Sequence, residues 1–348
     1  MKRDSHIGNP WELLPAGVDP ADRMPLWFHD LYTDGIHPDA RFPRDRYVRL
    51  AERFKRGEAG GLVRLETSPA ADRADLLVAH DRDYVDRFLD GQMDAKETRR
   101  IGLRPWTPLL IPRTLRIMGG AIAALQHVAR TGGLAGNMAG GTHHAHRDFG
   151  SGYCVFNDLA VCALLAVKEF GFRRVAILDL DVHQGDGTAT ILADEPTALT
   201  ISVHCAENFP FRKAVSDHDL AVPAGTEDAA YLATVRSAVE TAVAFQPDLL
   251  LYQGGVDGLA SDALGRLSLT RAGMRQRNRM VFEAVLDLGI PCIVYMGGGY
   301  SNPIGPTVDA FHDLFLDAAW ANRHALAGRR LLGGGTPLPR QSPSLVQS

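Results

Sequence analysis

Chemistry is densest where an apolar run ends, in the thirteen residues VAILDLDVHQGDG from Val175 to Gly187, which place Asp179, Asp181, His183 and Asp186 close together. In an extended chain residues two apart point to the same side, so Asp181 and His183 can offer an oxygen and a nitrogen to one metal ion. Asp179 shares their parity one step deeper. Crowding carboxylates beside a sheet costs free energy unless a cation or hydrogen bonds offset it, which fits a metal site better than a solvated turn. A second apolar run, Leu249 to Tyr252, leads through Gln253, Gly254, Gly255 and Val256 to Asp257. On its own Asp257 reads as a cap or loop acid; beside the other two it completes a set of two Asp and one His. Three protein ligands leave a coordination position open for water, as catalytic zinc requires and structural zinc does not.

Two further segments can work on a substrate held there. His143 and His144 stand in a loop that begins with Gly140 and Gly141 and continues through His146, Asp148, Gly150 and Gly152 to Cys154. Adjacent histidines diverge on a strand but can converge in such a loop, and Asp179 and Asp186 are available to set their tautomers and basicity. In Tyr295–Ser301 three glycines follow an apolar run and precede Tyr300. Glycine lets the backbone approach a ligand closely, and a tyrosine hydroxyl there can donate to an oxyanion opposite the metal.

Strand ends must hold these residues. Val175 to Asp181, Leu199 to His204, Asp248 to Gln253 and Pro291 to Met296 are rich in Val, Ile and Leu without polar alternation, the pattern of strands buried on both faces of a mostly parallel sheet. In such α/β sheets the ligand site lies outside the carboxyl ends of the strands. Helical spacing appears over Arg44 to Arg56, Asp83 to Leu89 and Arg113 to Arg130, the last beginning near Pro112 and stopped by Gly132 and Gly133. With 348 residues and no evident linker, the chain reads as one α/β domain, a central sheet flanked by helices, over residues 1–330. Residues 1–33 read as an irregular lead-in, and 331–348, rich in Gly, Pro and Ser, as a loosely held tail.

Bulk properties exclude several classes. A formal charge of -4 creates no field that would draw in nucleic acid or a membrane surface. Cys154, Cys162, Cys205 and Cys292 lack CxxC pairing, and Cys162 and Cys292 read as small buried hydrophobes. No apolar stretch reaches the ~18 residues of a spanning helix, and the N-terminus is too polar for a signal peptide, so a reducing, cytoplasmic location is expected.

The segments HHAHRDFGSGYC, DLDVHQGDG, QGGVDGLASDALG and GGGYS, in this order, resemble the histone deacetylase superfamily, which includes acetylpolyamine amidohydrolases and acetoin-utilisation proteins. The likeness runs from about Asp34 to Ala319 and is greatest to class IV and its bacterial relatives. It implies an arginase/deacetylase-like fold and a zinc-dependent amidohydrolase acting on linear amides. Asp181, His183 and Asp257 would bind zinc, with ferrous iron an alternative in the cell. His143 and His144 would be the base and acid pair oriented by Asp179 and Asp186, and Tyr300 would polarise the acyl carbonyl. Potassium would sit near Asp179, Asp181, His183 and the Ser202 hydroxyl. The Gly152 carbonyl would accept the substrate amide N–H, with Tyr153 and Phe209 as channel walls. The implied substrate is an acylated lysine or acylated small amine. An acetylpolyamine enzyme, with Glu207 or Asp217 holding a second ammonium, and a catalytically silent acyl-lysine-binding module are the rival readings. Acyl length and oligomeric state are not legible at this level.

Overall fold

The structure, a computed structural model, describes residues 19–331. Residues 1–18 of the expected lead-in, and all of the expected tail beyond Leu331, lie outside the described residues.

Eight strands form one open sheet: β1 (Met24–Phe28), β2 (Val63–Thr67), β3 (Leu134–Asn137), β4 (Val175–Asp179), β5 (Ala198–Cys205), β6 (His218–Val222), β7 (Leu249–Gln253) and β8 (Cys292–Tyr295). Their order is β2-β1-β3-β8-β7-β4-β5-β6 and every pairing is parallel. Strands β3, β4, β7 and β8 are buried throughout, which is why they carry apolar runs without alternation. The edge strands β2 and β6 are half exposed and mix charged with apolar residues.

Short helices α1 (Leu31–Asp34), α2 (Asp45–Lys55), α3 (Arg73–Leu76), α4 (Arg82–Leu89) and α5 (Ala95–Ile101) precede the long α6 (Leu110–Thr131). Then come α7 (Asp158–Phe170), α8 (Asp186–Leu192), α9 (Asp228–Ala244), α10 (Arg271–Leu288) and α11 (Gly305–Leu331). Helices α6, α7 and α8 pack as one layer on the sheet, and α9, α10 and α11 as the other. Their ends are set by side chains: Asn157 accepts from Ala160 N at the start of α7, and Thr270 from Gly273 N at the start of α10.

Two expectations are corrected. The lead-in is not irregular throughout, because Met24–Phe28 is a fully buried strand lying second in the sheet. Nor does β4 reach Asp181. It ends at Asp179, whose Oδ1 accepts from Asp181 N, and Asp181 Oδ1 in turn accepts from His183 N. Two successive turns closed by aspartate side chains, rather than strand alternation, set the direction of Asp181 and His183.

The register levels the strand ends. Asp179 pairs with Gln253, Gln253 with Tyr295 and Tyr295 with Asn137, so the segments leaving β3, β8, β7 and β4 emerge side by side. The chain passes from β3 to β4 across two vacant positions that β7 and β8 fill later, which opens a crevice at their carboxyl ends.

Candidate active site

Asp181, His183 and Asp257 converge in that crevice, all buried, with one ligand atom from each lying within 4.8 Å of the others. His183 Nδ1 is 3.0 Å from Asp181 Oδ1 and 3.1 Å from Asp257 Oδ2. The remaining carboxylate oxygens are fixed from behind: Asp257 Oδ1 accepts from Val182 N, and Asp181 Oδ2 from Gln253 Nε2 and Gly298 N. Burial and the neighbouring Asp181 carboxylate push Asp257 up. Burial would lower His183, but Asp181 and Asp257 raise it to about 10. Two carboxylates facing one imidazole in a dry pocket are a site that demands positive charge, and this donor set suits a divalent ion with oxygen and nitrogen ligands. Gly298 keeps the space open, because a Cβ there would overlap carboxylate oxygens of both Asp181 and Asp257.

The tandem histidines lie beside this cluster with ring centroids 4.1 Å apart. His143 Nδ1 donates to Asp179 Oδ2 at 2.7 Å, and His144 Nδ1 to Asp186 Oδ1 at 2.6 Å. Burial opposes charge on His143, yet Asp179 and Asp181 raise it to about 9. Burial and the adjacent His143 charge lower His144 to about 4. One imidazole of the pair therefore favours the charged form and the other the neutral form.

A cavity of about 500 Å³ runs from the surface to these groups. Tyr153 and Phe209 line it, as do Gly152 and Tyr300. Phe209 stands edge-on to His144 at 4.9 Å, and Tyr153 lies 5.9 Å from Tyr300. Gly152 has a φ of +53°, and a Cβ on it would collide with the His144 ring, so only glycine brings its backbone this close. Ser202 is the register partner of Asp179 on β5, its hydroxyl 3.0 Å from His204 Nδ1. Of the two acids considered for a second ammonium, Glu207 lines the cavity. Asp217 does not; its carboxylate accepts from Thr200 N and Oγ1 at the β5 edge.

Residues 40–310 match the histone deacetylase domain family. The chain belongs to the histone deacetylase family. An uncharacterised protein of Picosynechococcus is 39% identical to this family member over 88% of the chain and 97% of its own length. A probable deacetylase of Archaeoglobus fulgidus is 30% identical over 83% and 78% of the two chains, and histone deacetylase 2 of Arabidopsis thaliana 31% over 66% and 62%.

In this histone deacetylase family chain the structure adds supporting residues to which the sequence reading assigned no role. Asp262 Oδ2 accepts from Tyr300 N at 2.6 Å, fixing the backbone from which the tyrosine projects. Arg46, buried on α2, donates to Gly299 O and lies 5.4 Å from the centre of the Tyr300 ring. Asn208 reaches within 3.3 Å of His183 Nε2. His146 shares Asp186 with His144, its Nε2 being 3.2 Å from Asp186 Oδ2. Asp262 and His146 lie within the motif segments QGGVDGLASDALG and HHAHRDFGSGYC, which could have drawn attention to them, whereas Arg46 in an amphipathic helix and Asn208 in a loop carry no local signal of contacts that exist only after folding.

Proposed function

We propose that the protein is a zinc-dependent deacylase that hydrolyses an N-acyl amide, with an acyl-lysine or a similar acylated amine as substrate. The observation that supports this reading is a buried Asp181, His183 and Asp257 cluster whose Asp181 and His183 line a cavity also lined by two carboxylate-bound histidines and Tyr300. When bound there, zinc supplies Lewis acidity, polarising the acyl carbonyl and acidifying a water molecule.

The chain's own groups would do the rest. Tyr153 and Phe209 flank the alkyl stem of the amine, and the Gly152 carbonyl accepts the amide N–H. His144, held neutral with Asp186 behind it, takes a proton from the attacking water. Tyr300 donates a hydrogen bond to the acyl oxygen as negative charge develops on it. The histidine pair then returns a proton to the leaving nitrogen, and the Asp179 carboxylate stabilises charge on His143 while this happens. Ser202, with Asp179, Asp181 and His183, is the place for a monovalent cation, potassium in this reading.

The test is hydrolysis of an acetyl-lysine peptide before and after chelation. Turnover that chelation abolishes and added zinc restores is expected. Undiminished turnover in chelator-stripped protein, or no turnover of any acyl-amine by zinc-loaded protein, refutes the proposal.

A further inference from the structure

Sites of this kind are selected by what lies at the mouth, because the reacting amide itself is common to all acylated amines. Apart from Asp181 and the histidines of the site, the charged side chains lining the cavity are four arginines and one glutamate: Arg46, Arg100, Arg113, Arg266 and Glu207. Arg46 and Arg113 are buried at its inner end, whereas Arg100 and Arg266 are exposed. These two come from separate elements with firm anchors. Arg100 stands in the last turn of α5 and lies 4.5 Å over the Phe149 ring, which in turn stacks on His146. Arg266 N donates to Asn208 Oδ1 at 3.0 Å, and its carbonyl accepts from Gly225 N at 2.7 Å. Among the described residues neither guanidinium has a carboxylate within 4.0 Å.

The one acid at the mouth is already engaged by the chain. Glu207 Oε2 accepts from Ala224 N at 2.9 Å and from the Cys205 thiol at 3.4 Å. Lys213 adds positive charge on the same loop, its ammonium donating to the carbonyls of Asn208 and Pro210. Phe211, 86% exposed, and Leu264, 43% exposed, give the rim apolar surface beside these charges. A polyamine or a basic peptide entering here meets a net excess of like charge, because the single Glu207, held low by its Cys205 and Ala224 hydrogen bonds and in part by Arg266, offsets only one of the two arginines. An anion meets two guanidinium groups with no carboxylate within 4.0 Å, one of them backed by the Phe149 ring.

We propose that the acylated amine hydrolysed by this protein carries an acidic group, carboxylate or phosphate, near its amine, and that Arg100 and Arg266 recognise that group at the cavity mouth. The inference rests on the deacylase reading above and names the substrate class it acts on. Because both arginines are at the rim, recognition acts mainly on encounter and KM and is weakened by salt.

The test compares kcat/KM for acetyl-lysine peptides that differ only in flanking residues, Glu, phosphoserine, Ala or Arg, with N-acetylputrescine as a cationic small amine. The wild-type zinc enzyme is expected to favour the Glu or phosphoserine flank over the Arg flank by on the order of 10-fold, mostly in KM. The ranking of Glu against phosphoserine identifies which anion fits. The preference should shrink at about 0.5 M salt and reverse in the double variant Arg100→Glu, Arg266→Glu. The wild-type ranking decides the matter even if that variant fails to fold. Turnover of the Ala-flanked peptide with no preference for acid, or faster turnover of the Arg-flanked peptide or N-acetylputrescine, overturns the inference and leaves the deacylase reading standing. Failure to hydrolyse any of these substrates overturns both.

Discussion

Tyr300 is held from several directions, by Asp262 at its backbone N–H, by the Arg46 guanidinium over its ring and by Phe42 edge-on at 6.0 Å. A hydroxyl fixed by its surroundings needs little reorganisation to donate when charge develops on a substrate oxygen, which is where such donors earn their effect. Replacing Tyr300 by Phe should therefore lower kcat by on the order of 100-fold or more while zinc content stays at the wild-type level. Steady-state kinetics with metal analysis checks this, and near-normal turnover would remove Tyr300 from the chemistry. At this scale the residue types in HHAHRDFGSGYC and DLDVHQGDG were legible because each needs a partner that the same segments supply. Arg46 and Asn208 were not, since they act through groups they meet across the fold, and the role of Asp262, though it stands in a motif segment, shows only in its contact with Tyr300 N.

At the scale of elements, the two histidines depend on how the loop between β3 and α7 is tied down. His80 does much of this: its Nδ1–H donates to His146 O, and its Nε2 accepts from Asn157 N at 2.9 Å. The Asn157 side chain then donates to Ala145 O and bonds Thr188. Accepting through Nε2 requires a neutral ring, and burial, against the pull of the His146 and Arg147 carbonyls, lowers His80 from 6.5 to about 4. The unfolded chain takes up this proton first as pH falls. The His80 contribution is thus complete above about pH 6.5 and is lost progressively toward pH 4, by on the order of 3 kcal/mol. Denaturation midpoints from pH 8 to pH 5 should fall in the wild type and fall less steeply in His80→Asn; equal slopes would contradict this. The same scale shows why alternation was a poor guide past Asp179. Aspartate side chains capture the next backbone N–H groups there, so a run that looks extended in sequence turns twice.

At the scale of the whole molecule, the sheet order does what no local segment can. It sets the ends of β4 and β7 side by side, bringing Asp257 to Asp181 and His183 across more than seventy residues of sequence. Arg277, fully buried on α10, ties the two strand exits together by donating to the carbonyls of Leu180, Gly254 and Gly255. The central strands β4, β5, β7 and β8 could be read from their apolar runs because both faces are covered. Strand β1 was hidden by Pro25 and its polar surroundings, β3 by its small residues, and β2 and β6 by the mixed composition that edge strands tolerate. The central claim is that this convergence forms one metal site per chain. Its most direct test is zinc content, measured on folded protein for the wild type and for Asp257→Asn, which keeps an oxygen to accept from Val182 N. One equivalent of zinc in the wild type, and a small fraction of one in a variant with the wild-type circular dichroism spectrum, is the predicted result. A full equivalent retained by Asp257→Asn, or a wild type that hydrolyses acyl-amines without bound metal, would contradict the account.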